Sequence, residues 1–436
     1  MTSPFLSDNP DSELYDVERR LREELREELT RFMGEQQLLT LGPEQESRIR
    51  TLIHKRVEKH GRDAANSSQP HFLDPAALER RIYDSLFRLG ILQPLMDDPT
   101  VEEIQCNGPT RIFAVRNGES EFQSDLRFES DEELLRLIKR LIGESNQLDP
   151  SRPKVDAQLP DGSRLHAVIP PATVDMVSLT IRRFLVRADS LHDLVELGSI
   201  PPDAAAFLDA AVTTGVNMLI SGSTASGKTT LLMALCCSIT SHRERVITVE
   251  DTPELGLHRR LPNCVPLQAR PANLEGKGEL TIREHVRSSL RMRPTRIVVG
   301  EVRGAEALDM LMAMNTGHDG SIGTIHSNSP SQALDKLATY AMMAEERMPI
   351  DELNKTIAQN IELVLQLGWN PLTGKRQLTH IYEVAGTENG KILGQDLWAP
   401  DGEERSSYTG GIPRCVQKMK RKGVQYTLPP QRSLGR

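Results

Sequence analysis

Apolar positions recur along this 436-residue chain with helical and strand-like periods, and the changes between them mark its organisation. Within residues 1–70 they fall at helical spacing, at Leu21, Leu25, Leu29 and Phe32, among runs such as REELREEL that set opposite charges one turn apart. The pattern predicts a charged helical or disordered arm, either solvated or docked on a partner or a neighbouring subunit. Gly61 to Gln69, GRDAANSSQ, reads as a linker. From Pro75 the helical period runs through Leu78, Ile82, Leu86 and Leu89. It then gives way to VEEIQCNG and RIFAVRNG, strand-like runs each closed by an Asn-Gly turn signal. A helix with Leu134, Leu135, Leu137, Ile138 and Leu141 follows, then two strand-rich stretches, KVDAQLPDGSRLHAVIPP and VSLTIRRFLV. Together these predict a small α+β domain over 71–188. Over 189–386, apolar strands (VNMLISG, RVITVED, RIVVGEV, SIGTIHS) alternate with helices, the mark of a parallel sheet covered on both faces. From 387 to 436, Gly, Pro, Ser and charge are in excess around one basic cluster, RCVQKMKRKGVQ. A mobile tail with one short helix is expected there.

Chemistry concentrates in the third block. Gly222-Ser223-Thr224-Ala225-Ser226-Gly227-Lys228-Thr229, followed by Thr230, fits G-x-x-x-x-G-K-[ST] between an apolar strand and a helix-like run. Chance supplies roughly 0.015 such matches in a chain of this length. The glycines let backbone N–H groups wrap an anion, and a helix N-terminus adds positive potential. Lys228 is placed to reach the β- and γ-phosphates of ATP, and the Thr229 hydroxyl to bind Mg²⁺. Two later strands end in carboxylates, Glu250 with Asp251, and Glu301. In a parallel sheet such tips face the same edge as the phosphate loop. The metal shell is therefore expected from Thr229, waters and Glu250 or Asp251, with Glu301 as general base. Gly300 stands where the common plan has an aspartate for Mg²⁺. In MNTGHDGSIGTIHSN, His318 and His326 suit a γ-phosphate sensor or a subunit-contact loop better than a metal site, because no cysteine or third histidine lies at ligand spacing.

Composition narrows the classes. The net charge is −8, the pI near 5.9, and aromatics are 4%. That combination opposes a general nucleic-acid binder, which needs a basic groove with stacking platforms. No apolar run approaches the roughly 20 residues needed to cross a bilayer, and the polar N-terminus is not a secretory signal, so a cytoplasmic protein is expected. Five cysteines at irregular spacing, without C-x-x-C, indicate neither zinc nor a disulfide frame.

GSTASGKTT, VEDTPEL, RMRPTRIVVGEVRGAEALDML and AMNTGHDGSIGTIHSNSP resemble, in order and spacing, the Walker A, Asp-box, Walker B and His-box series of secretion ATPases, the hexameric motors of type II and type IV secretion and type IV pili. RPANLEGKGELTIREHVRSSLRMRP, DGSRLHAVIPP, SLTIRRF and LMDDPTVEEIQCNGPTRIFAVRNG look most like the CpaF-like ATPases of Tad/Flp pilus assembly, over roughly residues 80–385. The four-cysteine zinc module common in type II secretion ATPases is absent from the sequence. The resemblance implies an α/β fold: a RecA-like P-loop ATPase domain with a parallel sheet, preceded by a small PAS-like α+β domain and a helical arm. It implies a homo-hexamer that uses ATP and Mg²⁺ to drive pilin assembly or protein export through inner-membrane platform proteins, associated peripherally with the inner face of the membrane. The alternatives are a VirB-type conjugation or type IV secretion ATPase, and a RecA-like nucleic-acid translocase. Arg164, Arg182 and Arg183 fall where family members carry arginines that reach a nucleotide. Gln158 and Gly143-Glu144 depart from the usual arginine-bearing wording, which implies rearranged basic contacts between domains.

Overall fold

The computed structural model describes residues 11–33, 42–66, 74–116, 118–143, 147–183, 188–239, 241–270, 272, 277–370, 374–401 and 406–430. The sequence features at 67–69, 144, 184–187, 271, 273–276 and 431–436 lie outside these residues. The chain divides into two compact units, Met1–Leu185 and Val186–Arg436.

In the first unit, α1 (Asp11–Met33), α2 (Pro43–Ala65) and α3 (Pro75–Phe87) pack together. Their helical-period residues Leu21, Leu25, Leu29, Ile49, Ile53, Leu78 and Ile82 form one apolar cluster. The arm is therefore packed helix, and α2 continues through much of the segment read as a linker. Short helix α4 (Gln93–Asp97) leads into β1 (Val101–Asn107), β2 (Ile112–Arg116) and β3 (Glu119–Phe122). Then come α5 (Asp131–Ile142), β4 (Lys154–Gln158), β5 (Arg164–Val168) and β6 (Ser178–Arg182). The six strands pair antiparallel in the order β3-β2-β1-β6-β5-β4. Period-2 alternation sends Ile104, Ala114, Leu165, Leu179 and Ile181 to one face, where Leu134 and Ile138 of α5 cover them.

The second unit begins with α6 (Leu191–Glu196), α7 (Pro202–Thr213), β7 (Met218–Gly222), α8 (Lys228–Cys237), β8 (Val246–Glu250) and β9 (Cys264–Gln268). It continues with α9 (Ile282–Ser289), β10 (Arg296–Val299), α10 (Glu306–Asn315), β11 (Ile322–His326), α11 (Pro330–Ala341) and α12 (Ile350–Asn360). Then follow β12 (Leu363–Asn370), β13 (Lys375–Glu388), β14 (Lys391–Pro400), β15 (Ser406–Tyr408) and α13 (Cys415–Arg421). The nine strands run in the order β15-β14-β13-β12-β7-β11-β10-β8-β9. From β12 to β9 neighbours are parallel, with helices packed on both faces through two separate cores.

The other flank, β12 to β15, is antiparallel, so the sheet is mixed. Here the structure corrects the expectation of a mobile tail from 387. Asn389 (φ 51°) and Gly390 (φ 74°) turn the chain between β13 and β14, the left-handed pair that tight hairpins use. Trp398 is wholly buried against Phe207 and Tyr408, at ring separations of 5.0 and 5.1 Å, and its Nε1 donates to Asp203 Oδ2. Met419 of α13 joins the same core. The excess of Gly and charge in this stretch concealed one strongly apolar anchor.

Candidate functional site: the carboxyl edge of the parallel strands

Strand register brings the reactive residues together. Gly222 at the end of β7 is the Cα partner of His326 on β11 and of Leu367 on β12. The chain turns there through Ala225 (φ 59°) and Gly227 (φ 96°) into α8. A Cβ on Gly222 would lie 2.9 Å from the Leu367 carbonyl oxygen and press on Ser226 Oγ, so only glycine permits this close approach. Lys228 is buried, and its Nζ donates to the carbonyls of Gly222 (3.1 Å) and Ser223 (2.7 Å) and to His326 Nδ1 (3.0 Å). An ammonium has only donors, so Nδ1 is the accepting nitrogen and the proton of a neutral His326 sits on Nε2. That nitrogen lies 2.9 Å from Glu301 Oε1, and Arg303 Nη2 donates to Glu301 Oε2 at 2.6 Å. The other fork of Arg303 reaches Asp251 Oδ2 at 3.2 Å. Lys228, His326, Glu301, Arg303 and Asp251 thus form one continuous chain of polar contacts.

The charges tune one another. Burial pushes the Glu301 carboxyl up, but the Arg303 hydrogen bond and charge, with His326 and Lys228, outweigh it and hold Glu301 below the ordinary glutamate value. Burial and then the Lys228 charge lower His326, against the pull of Glu301. Both shifts favour an ionised Glu301 carboxylate beside a neutral His326 imidazole.

Glu250 is placed differently. It is 4% exposed, and its Oε1 accepts from the amides of Glu254 and Leu255 at 2.9 Å each, closing the loop after β8. Its Cγ lies 3.0 Å from where a Cβ on Gly300 would stand. This explains the missing aspartate of the common plan: Glu250 fills the space such a side chain would enter.

His318 precedes β11 while His326 ends it, so the strand itself holds His318 at the opposite edge of the sheet from the loop. There His318 Nδ1 donates to the Ala313 carbonyl at 3.0 Å and closes the end of α10. Within the chain this excludes its reading as a phosphate sensor. In the first unit, Arg164 and Arg182 are cross-strand partners on the face away from α5. Arg183 Nη1 donates to the carbonyls of Asp98 and Val101, bracing its own unit. Arg303 escaped the sequence reading although it stands two residues beyond Glu301. Lys336, whose Nζ donates to the His326 carbonyl at 2.8 Å, carried no motif at all.

The family model "Type II/IV secretion system protein" matches residues 87–391, well over half of the chain. The chain belongs to the type II/IV secretion system protein family. It is 36% identical over 329 residues to a Mycobacterium tuberculosis H37Rv protein named for conjugal transfer, covering 74% of this chain and 91% of that one. It is 31% identical over 349 residues to the type IV secretion system protein VirB11 of Brucella suis, covering 73% and 94%. Among solved structures, the Legionella pneumophila ATPase DotB shares the fold, with a TM-score of 0.50 and 22% identity over 70% of this chain and 82% of that one. This secretion ATPase is an ATP-hydrolysing enzyme of the P-loop class that powers a membrane transport or pilus system, and its family implies the use of ATP and Mg²⁺. The loop fits that chemistry: an amide-lined turn, a buried lysine and, in the first turn of α8, the partly exposed hydroxyls of Thr229 and Thr230. Among the described residues, no helix is long and apolar enough to cross a membrane, and no group of three or more His, Cys, Asp or Glu could hold a metal ion by itself.

Proposed function

We propose that this chain is the motor ATPase of a type IV secretion or conjugation apparatus, working as a homo-hexamer against inner-membrane platform proteins at the cytoplasmic face. The observation that carries the motor chemistry is the Lys228–His326–Glu301 chain beside the phosphate loop. The choice of apparatus is supported by the names of the relatives. A second reading, a CpaF-like Tad/Flp pilus motor, is favoured by the wording RPANLEGKGELTIREHVRSSLRMRP and DGSRLHAVIPP. The PAS-like reading of the first unit belongs to the same proposal, supported by its antiparallel sheet with one helix-covered face.

The residues act as follows. To neutralise phosphate, Lys228 gives up its contacts to Gly222, Ser223 and His326. Its departure removes a charge that lowers the affinity of His326 for protons, so nucleotide binding is transmitted to Glu301 through one imidazole. Glu301 then accepts the proton of the attacking water. Thr229 and Asp251 would hold Mg²⁺, which supplies charge neutralisation at the phosphates. Glu250 builds the loop that carries Asp251. Arg182, with Arg164 beside it, is the candidate finger toward the γ-phosphate, acting across a domain or subunit boundary, and Arg183 is the brace behind it.

Two experiments test this. Purified chain is assayed for ATPase activity with cytoplasmic loops of platform proteins from a conjugation system and from a Tad/Flp system. Stimulation by the first set alone is expected, and stimulation by the second alone transfers the assignment to the pilus reading. Separately, Arg182→Ala subunits are mixed with Lys228→Ala subunits. Activity returns if the arginine acts in trans, and mixed rings that assemble without activity restrict it to a role in cis.

A further inference from the structure

The edge of the second unit's sheet remote from the phosphate loop has a character that neither the ATPase chemistry nor the net charge explains. Five segments separated in sequence meet there: 241–245, 257–263, 290–295, 316–321 and 414–424. A continuous series of contacts joins them. The Val246 amide donates to the Asn263 carbonyl, and Arg245 Nε donates to the Met292 carbonyl. The Thr295 amide donates to the Arg245 carbonyl. Buried Arg296 reaches the Val212 carbonyl, and Lys418 bridges the Gly215 carbonyl and Asp319. The five segments carry eleven lysines and arginines against two carboxylates, Glu244 and Asp319, in a chain of net charge −8. Both carboxylates are already paired, Glu244 with Arg296 and Asp319 with Lys418.

Arg243, Arg259, Arg291 and the Lys420–Lys422 run are exposed, and among the described residues none has an ion-pair partner. Two apolar side chains stand among them: Ile412, 74% exposed, just before Arg414, and Leu290, 37% exposed, next to Arg291. A cavity of about 340 Å³, lined by Ser241, His242, Asn263 and Arg260 with Ile239 and Leu261 as apolar walls, opens between two of the segments.

We infer that this edge is a docking face for an anionic phospholipid surface. The charges are borne on the loops before β8, β9 and β10 and on α13, whose Lys418 reaches the residues before β7 and β12, so they spread over six parallel strands, a breadth of roughly 25 Å at about 4.8 Å per strand. Such a spread suits a charged plane rather than one extended acidic peptide. Basic residues near an anionic leaflet are attracted additively, and scattered exposed aliphatic side chains enter the headgroup region. Single-stranded nucleic acid would require aromatic platforms, and none of the five segments contains Phe, Tyr or Trp. The phosphate loop lies at the other edge of the same sheet, so docking through this face turns it away from the lipid. The face is independent of which apparatus the motor serves.

The test is co-sedimentation of the full chain with phosphatidylcholine vesicles, with and without phosphatidylglycerol. Binding to the anionic vesicles alone is expected, weakening as salt shortens the Debye length. The combined variant Arg243→Glu, Arg259→Glu, Arg291→Glu, Lys420→Glu and Arg421→Glu should lower binding at least tenfold while retaining ATPase activity. The same five changed to Gln give an intermediate loss and guard against misfolding. Reversal of Lys55, Lys59 and Arg62 on α2 should leave binding unchanged. Equal binding to neutral vesicles overturns the inference, as does wild-type binding by both face variants. Retention by a short DNA at the same salt that is stronger than by anionic vesicles, and lost in the same variants, assigns the face to nucleic acid instead.

Discussion

The two edges of one parallel sheet have opposite chemistry although the same strands build both. At the carboxyl edge, Glu301 is gripped by His326 and Arg303, and Lys228 closes the circuit. At the amino edge, His318 caps a helix, and several exposed arginines and lysines have no ion-pair partner among the described residues. The contrast repeats within the carboxyl edge itself. Glu250 ends β8 and Glu301 stands two residues past the end of neighbouring β10, yet one spends an oxygen on two backbone amides and the other faces an imidazole and a guanidinium. Residue type is the same in each pair. The partner decides the role.

The largest effect that would sharpen this contrast is expected from Glu301→Gln. It should keep nucleotide binding and lose about 10²-fold or more in kcat, whereas Lys228→Ala should lose nucleotide affinity. Titration of nucleotide alongside steady-state rates separates the two. Near wild-type turnover by the Gln variant would transfer the base to Glu250. Next, Glu250→Ala should cost about 2–3 kcal/mol of stability by stranding the Glu254 and Leu255 amides, with kcat falling by less than in the Glu301 variant. Thermal or denaturant unfolding reads this directly, and a kcat loss matching Glu301→Gln would erase the distinction between the carboxylates.

Arg303→Met should move the acid limb of the kcat–pH profile upward. Burial alone raises the Glu301 carboxyl and Arg303 is the main opposing influence, so without it Glu301 takes up its proton at higher pH. The corresponding stability is present above the unfolded glutamate value and is lost as pH falls through the lowered folded value. The variant should therefore also be less stable at neutral pH and less sensitive to acid. An unmoved acid limb would release Arg303 from this role. The smallest effect belongs to His318→Ala, about 1 kcal/mol for a lost helix-end hydrogen bond. Its kcat should be unchanged, in contrast to a clear loss for His326→Ala. Equal losses would place both histidines in the reaction.

Much of this was legible along the chain. The phosphate loop needs its glycines, lysine and threonine contiguous, so its chemistry is written in eight consecutive residues. The strand-end carboxylates follow from apolar runs that stop at Glu, because parallel strands deliver their ends to one edge. The helical pattern of the arm was equally clear, but whether its apolar stripe was solvated or packed depended on α3, a partner further along the chain.

Other features depend on contacts between segments far apart in sequence. Glu250 and Glu301 carry the same local signal, and only the neighbouring strands determine which oxygen is consumed by a loop. His318 and His326 sit eight residues apart in one motif-like stretch, and one strand's length separates their functions. Trp398 lay in a stretch whose composition suggested a tail, and the Asn389-Gly390 turn that folds it back is a local signal whose meaning required the strand waiting beside it. The basic edge is the extreme case: four loops and α13, far apart in sequence, become one charged face because the folded sheet brings them to one edge. Covalent neighbours dictate local conformation and which groups are available. Burial, hydrogen-bond partners and summed charge arise from through-space proximity, which exists only once the chain has folded.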